Sequence, residues 1–164
     1  MKTTHKIAGL LLLAAVLGLN SCGPKLTPLP ASEVAAYFVG ATKTKAIDTS
    51  YYLVKDAKGD VMGTVLFSSP YSDQVKGFNG TTPLLITLDP EDRIQNVVML
   101  ENQETPVYVK RVVEGGFYNA WNGLTVKEAL EKDVDAITGA TFTSNAVKTS
   151  LKVRLEAYQK QKMK

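Results

Sequence analysis

The sequence predicts an α+β fold in a single domain: a twisted, mainly antiparallel sheet flanked by helices, behind an N-terminal address segment. Three observations carry this. Two pairs of strand-like runs are each joined by a short turn signal, at residues 56–60 and 89–92. The last stretch, residues 144–160, changes to helical periodicity. The 164 residues are 45% hydrophobic and 21% charged, which is enough for one core and too apolar for a disordered chain.

Taken in order, residues 1–6 carry Lys2 and Lys6 and no acid. Residues 7–19 form an unbroken apolar run, and Asn20-Ser21-Cys22 follows. A basic start, a short apolar run and a small residue before a cleavage point describe a secretory signal, and the run is short for a membrane span. Leu19-Asn20-Ser21-Cys22 also resembles a bacterial lipobox, with Asn20 in place of the usual small residue. That resemblance implies a lipoprotein signal peptide over residues 1–21 and an acylated Cys22 as the new N-terminus. It places the protein in the bacterial cell envelope, lipid-anchored on the extracytoplasmic, periplasmic side. Each buried acyl methylene contributes about 0.8 kcal/mol to such an anchor.

Residues 22–31 hold three prolines among few apolar residues and are expected to be a tether, leaving 32–164 as the domain. Ser32 is expected to cap a short helix over residues 33–39. Residues 51–55 and 61–67 form the first strand pair around Asp56-Ala57-Lys58-Gly59-Asp60. A polar loop ends in Gly77-Phe78-Asn79-Gly80. Residues 82–88 place Leu84, Ile86 and Leu88 on one face. After Asp89-Pro90-Glu91-Asp92, residues 93–101 return with Ile94, Val98 and Leu100 on one face and Val97 and Met99 on the other.

After Glu104-Thr105-Pro106 the spacing of Val109, Val112 and Val113 predicts a helix that Gly115-Gly116 stops. Phe117, Tyr118 and Trp121 cluster; Tyr118 and Trp121 are candidates for ring stacking on a ligand, with core packing the commoner fate of such clusters. Thr125-Val126-Lys127-Glu128 opens another short helix. The final helix presents Val147, Leu151, Leu155 and Tyr158 as one stripe, with Lys and Arg opposite.

The single His, His5, and the single Cys, Cys22, both lie in the address segment. The body therefore has no catalytic triad, no Cys-rich or His-ligated metal site and no internal disulfide, and no metal is expected. Without Lys2 and Lys6 the charge is close to balanced, so nothing points to nucleic acid.

Residues 135–144, Asp-Ala-Ile-Thr-Gly-Ala-Thr-Phe-Thr-Ser, have an unusual composition for a connecting loop. Gly139 permits a concavity of N–H groups, and the following helix start adds free donors and partial positive charge. Thr141, Thr143 and Ser144 add hydroxyls, so the set suits an anion, phosphate above all. A Ser/Thr-rich helix cap explains the same composition.

Asp135-x-x-Thr138-Gly139-Ala140-Thr141, with Thr143-Ser144 behind it, resembles the covalent flavinylation motif of the FMN-binding domain family. This family includes the flavin-bearing C and G components of the sodium-translocating NADH:quinone oxidoreductase and the Rnf electron-transport complex, respectively. The similarity runs from about Gly77 to Val147. It implies that Thr141 carries covalent FMN through a phosphodiester made outside the cytoplasm by a separate flavin transferase, from FAD with magnesium. Thr138, Gly139, Ala140, Thr143 and Ser144 would line the attachment point, and Asp135 would serve transferase recognition. Gly77 and Gly80 resemble the family's glycine entry before a strand. Glu104-Thr105-Pro106 resembles its Glu-Thr-Pro-Gly loop near the flavin ring, with Val107 in place of Gly.

The resemblance implies a membrane-anchored, extracytoplasmic flavoprotein that relays electrons between redox partner proteins rather than a stand-alone enzyme. The alternative is a non-redox lipoprotein, a binding or scaffold module with the same fold and no flavin. Flavin that survives acid precipitation separates the two.

Overall fold

The computed structural model describes residues 26–163. The signal segment and Cys22 lie outside the described residues. Five strands, β1 (Lys43–Ala46), β2 (Tyr51–Lys55), β3 (Val61–Phe67), β4 (Leu84–Leu88) and β5 (Ile94–Met99), form one antiparallel sheet in sequential order. The helices are α1 (Ala31–Val34), α2 (Pro106–Glu114), α3 (Val126–Glu131) and α4 (Thr141–Lys162), with a 3₁₀ turn at Phe117–Trp121. This is the α+β architecture expected from the sequence.

The expected strand pairs form at both turn signals. The 56–60 turn is closed by the Asp56 carboxylate, which accepts from the Gly59 and Asp60 N–H groups. β1 is additional to the expected strands: its residues, Lys-Thr-Lys-Ala, carry little strand signal, and its edge position suits lysines that discourage further pairing.

Every residue of β4 is buried, because helices cover one face of the sheet and the N-terminal segment covers the other. On the first face Leu84, Ile86, Leu88, Tyr51 and Leu66 meet Val147, Leu151, Leu155 and Tyr158 of α4, together with Trp121. On the second face Val34 and Phe38 sit over Tyr52, Val54, Val65 and Leu85. The expected tether therefore ends early. Leu29 packs against this second cluster, and its carbonyl accepts from the Thr44 hydroxyl at 2.5 Å. The first helix is also shorter than expected, ending at Val34. Its cap position is Pro30, so Ser32 lies inside the helix and is not the cap.

Two further expectations are corrected. Alternation puts Ile94 on the face of Val98 and Leu100, but it joins Val97 and Met99. The register pairs Leu88 with Ile94 and Thr87 with Asn96, leaving Gln95 as an extra residue. A bulge of one residue shifts the alternation, so Ile94 reaches the helix-covered core. Helical periodicity puts Arg154 on the outer, charged side of the last helix, yet it is fully buried. Its Nε donates to the Phe67 carbonyl at 2.8 Å, and its guanidinium lies 4.9 Å from the centre of the Tyr71 ring. Burial pushes its pKa down. The α3 expectation holds: Thr125 and Glu128 form a reciprocal capping box.

Candidate functional site

The site is built where three segments converge: the 77–80 loop before β4, the start of α2, and the start of α4. α4 begins at Thr141, with Ala140 at the cap position, so the hydroxyl-rich motif runs into the helix instead of stopping before it. Gly139 adopts φ +75°, the left-handed conformation that turns the chain into the helix. No side chain caps the first turn of α4, and helix geometry leaves its leading amides without intrahelical acceptors.

Helical periodicity sorts the hydroxyls. Thr143 and Ser144 face inward with Val147, while Thr141 and Phe142 face outward. The Ser144 hydroxyl donates to the Ala140 carbonyl at 3.0 Å and accepts from the Ile137 N–H at 3.1 Å, which ties the incoming loop to the helix. The buried Thr143 hydroxyl donates to Glu104 Oε1 at 2.6 Å. Both are ligand donors by the sequence expectation, and the structure commits both to internal bonds. Thr138 and Thr141 are both exposed to solvent, and Thr141 is the one at the helix start. Asp135 is exposed on the connector ahead of the turn.

Glu104 likewise differs from its expected place on a ligand. Its side chain is turned into the protein and the residue is only 4% exposed. Oε1 accepts from the Phe78 N–H at 2.6 Å, and Oε2 accepts from the Asn79 and Gly80 N–H groups, each at 2.7 Å. Three successive backbone amides thus form an anion nest, and the chain's own carboxylate fills it. A Cβ on Gly77 would stand 2.5 Å from Glu104 Oε1, and one on Gly80 would stand 3.1 Å from the Gln103 carbonyl carbon. These glycines serve approach to the Glu104 segment. Burial alone would raise the Glu104 pKa. The Thr143 hydroxyl and the three amides outweigh it and hold the carboxyl below its ordinary value. Thr105 takes the cap position of α2 with Pro106 behind it, but its side chain makes no cap bond.

At the start of α4 lies an open cleft of about 240 Å³. Its lining is Phe78, Tyr108, Phe142 and the 139–143 segment. Phe78 and Phe142 are 59% and 69% exposed, which is unusual for rings of this size. The Phe78 and Tyr108 rings meet edge to face at 5.0 Å, and Phe142 stands 6.4 Å from Phe78. Arg111 of α2 donates from Nη1 to the carbonyl of Gly139, one of the lining residues, at 2.7 Å.

Sequence reasoning missed Phe78 as a ring, Tyr108, Phe142 and Arg111. A signal existed for Phe142, which adjoins Thr141, and for Tyr108 and Arg111, whose spacing of three puts them on one side of a helix. Tyr118 and Trp121, the candidates for stacking, are buried in the core beside Phe117 and do not line the cleft.

Chemically, the cleft offers aromatic edges and faces to a planar apolar group, a helix start and a guanidinium to an anion, and an exposed hydroxyl between them. These residues fit FMN, which joins a planar ring system to a phosphate. Among the described residues no group of His, Cys, Asp and Glu could hold a metal ion, and no helix is long and apolar enough to cross a membrane.

The FMN-binding domain family model matches residues 77–156. The chain is also similar to the G component of the Na(+)-translocating ferredoxin:NAD(+) oxidoreductase complex of Acetobacterium woodii, with 24% identity over 143 residues, 80% of this chain and 66% of the relative. The chain thus spans just under two thirds of that relative's length. The matched stretch begins at the glycine loop and includes Glu104, α2, the Gly139 turn and most of α4, so every wall of the cleft falls within it. Over residues 77–156 this chain is similar to the FMN-binding domain family.

Proposed function

We propose that the protein is a lipid-anchored, extracytoplasmic electron carrier holding FMN through a phosphodiester at Thr141. The observation that carries this reading is the position of Thr141. It is an exposed hydroxyl at the first residue of a long helix, opening on an aromatic cleft. The domain supplies the affinity for FMN. The relative's place in an oxidoreductase complex supports a relay between redox partner proteins.

Attachment exchanges a phosphoanhydride for a phosphate ester. The Thr141 Oγ–P bond forms at the FMN phosphorus of FAD, and the pyrophosphate bond breaks. AMP leaves, and the hydroxyl proton passes to AMP or solvent. No group is oxidised. A flavin transferase catalyses the step, and Asp135, exposed six residues before Thr141, belongs to its recognition signal. Bound FMN accepts and releases one or two electrons. The chain's own residues would hold it: Phe78, Tyr108 and Phe142 would pack against the ring, and the first turn of α4 would offer its free amides to the phosphate. Cys22 would hold the domain at the membrane through its acyl chains.

Two measurements test this reading. In protein co-produced with a flavin transferase, intact mass should show one added FMN, and Thr141→Val should remove it. Thr143→Val should keep the flavin while lowering stability, because it leaves a Glu104 oxygen without its hydroxyl partner. A fully flavinylated Thr141→Val protein would mean that another residue is the acceptor. Flavin-free protein from the same co-production would favour the scaffold alternative. Separately, Cys22→Ala should move the protein from the membrane to the soluble fraction and abolish labelling by fatty acid. Continued membrane fractionation of the variant, with no label on the native protein, would refute lipidation.

A further inference from the structure

Two charged groups flank residues that line the cleft. Behind Phe78 and Thr143, a backbone nest that could cradle phosphate is already filled by the Glu104 carboxylate. Beside Gly139, Arg111 lies against the turn that presents Thr141. A Cβ on Gly139 would collide with Arg111 Nη1 and stand 3.3 Å from Cζ, so the guanidinium rests on the bare α-carbon of that glycine. We propose that Arg111 is the residue that recognises the flavin phosphate and makes this cleft select FMN over riboflavin before any covalent bond forms. The proposal rests on the FMN reading of the cleft.

Three observations support it beyond proximity. Arg111 takes part in none of the ion pairs among the described residues, which join Lys110 to Glu114, Lys148 to Asp133 and Lys162 to Asp92. Its one protein acceptor is the neutral Gly139 carbonyl, so most of its donor fork remains for a ligand. Tyr108, one helical turn earlier on α2, lines the ring end of the same cleft, so a single helix supplies both an aromatic wall and a cation. A guanidinium meets phosphate oxygens bidentately, and the one nearby backbone nest is already occupied by Glu104, so it is closed to phosphate. Arg111 is also a positioning residue, since its bond to Gly139 holds the turn immediately before Thr141.

The test uses the full chain produced without a flavin transferase, titrated with FMN and with riboflavin while flavin fluorescence is followed. The two ligands differ only in the phosphate. FMN should bind about tenfold or more tightly than riboflavin, as expected for a charge-assisted contact, and the preference should shrink with added salt. Arg111→Gln should bring FMN to the riboflavin level while riboflavin still binds, which shows that the aromatic part of the cleft persists. Arg111→Lys should restore part of the preference. Equal affinity for the two flavins in the native chain, no binding of either, or a preference that survives Arg111→Gln would overturn the proposal. The titration reads non-covalent binding and the Thr141 mass measurement reads the ester, so either can fail alone.

Discussion

Glu104 shows how one buried side chain can organise the walls of a cleft through internal bonds. It joins the 77–80 loop to α4 through three amides and the Thr143 hydroxyl, and so sets the distance between Phe78 and Phe142. Glu104→Gln keeps the shape but turns an NH₂ group toward N–H donors. The expected cost is about 2 kcal/mol or more, read as a lower urea midpoint with an unchanged slope. The same residue fixes an acid limit. Its folded pKa is depressed, so its stabilisation is fully present above the unfolded value, about 4.3, and is lost as pH falls through the folded value. Stability of the native chain should therefore drop below about pH 5 more steeply than that of Glu104→Gln. Parallel profiles would show that the nest does not lower the Glu104 pKa.

At the scale of elements, the bulge at Gln95 decides which way β5 faces. Simple alternation sends Ile94 to the face of Val98, whereas the extra residue brings it beside Leu88 and the core under α4. Deleting Gln95 removes the extra residue, so Ile94, Val97 and Met99 fall on one face by simple alternation and stay under the helices. The deletion should therefore cost no more than about 1 kcal/mol, measured by urea unfolding. A loss of about 2 kcal/mol or more, the value of one large aliphatic side chain, would mean that the bulge itself is needed to seat Ile94. No residue near 95 marks the bulge, since a bulge arises from how two strands and the helix layer fit together. The ends of α2 and α3 are easier to read because Pro106, Gly115 and the Thr125–Glu128 box act within a few residues of themselves.

For the whole molecule, the stretch that matches the family begins at residue 77, yet the core does not. β3 pairs with β4 along its length, and Tyr51 and Leu66 belong to the same cluster as α4. The second face of β4 is closed by Leu85 against Val65, Val34 and Phe38. A fragment of residues 77–156 should therefore lack dispersed amide signals and near-ultraviolet dichroism, because the second face and one edge of β4 lose their cover and the helix-covered face loses Tyr51, Leu66 and Tyr158. A cooperatively folding fragment would show that the first three strands are dispensable.

The sequence alone determined the class of fold, four of the five strands, the helix-stopping glycines and the FMN-type motif around Thr141, since each is written in neighbouring residues. Only the tertiary structure decided which hydroxyls face outward, that Glu104 fills a nest, that Phe78, Tyr108 and Phe142 share a cleft, and that Arg111 reaches Gly139. Those contacts join residues 24 to 39 positions apart, as in Gly80 with Glu104, Arg111 with Gly139 and Glu104 with Thr143. Such pairings depend on how the helices settle on the sheet, and packing of that kind leaves no periodic mark in the chain.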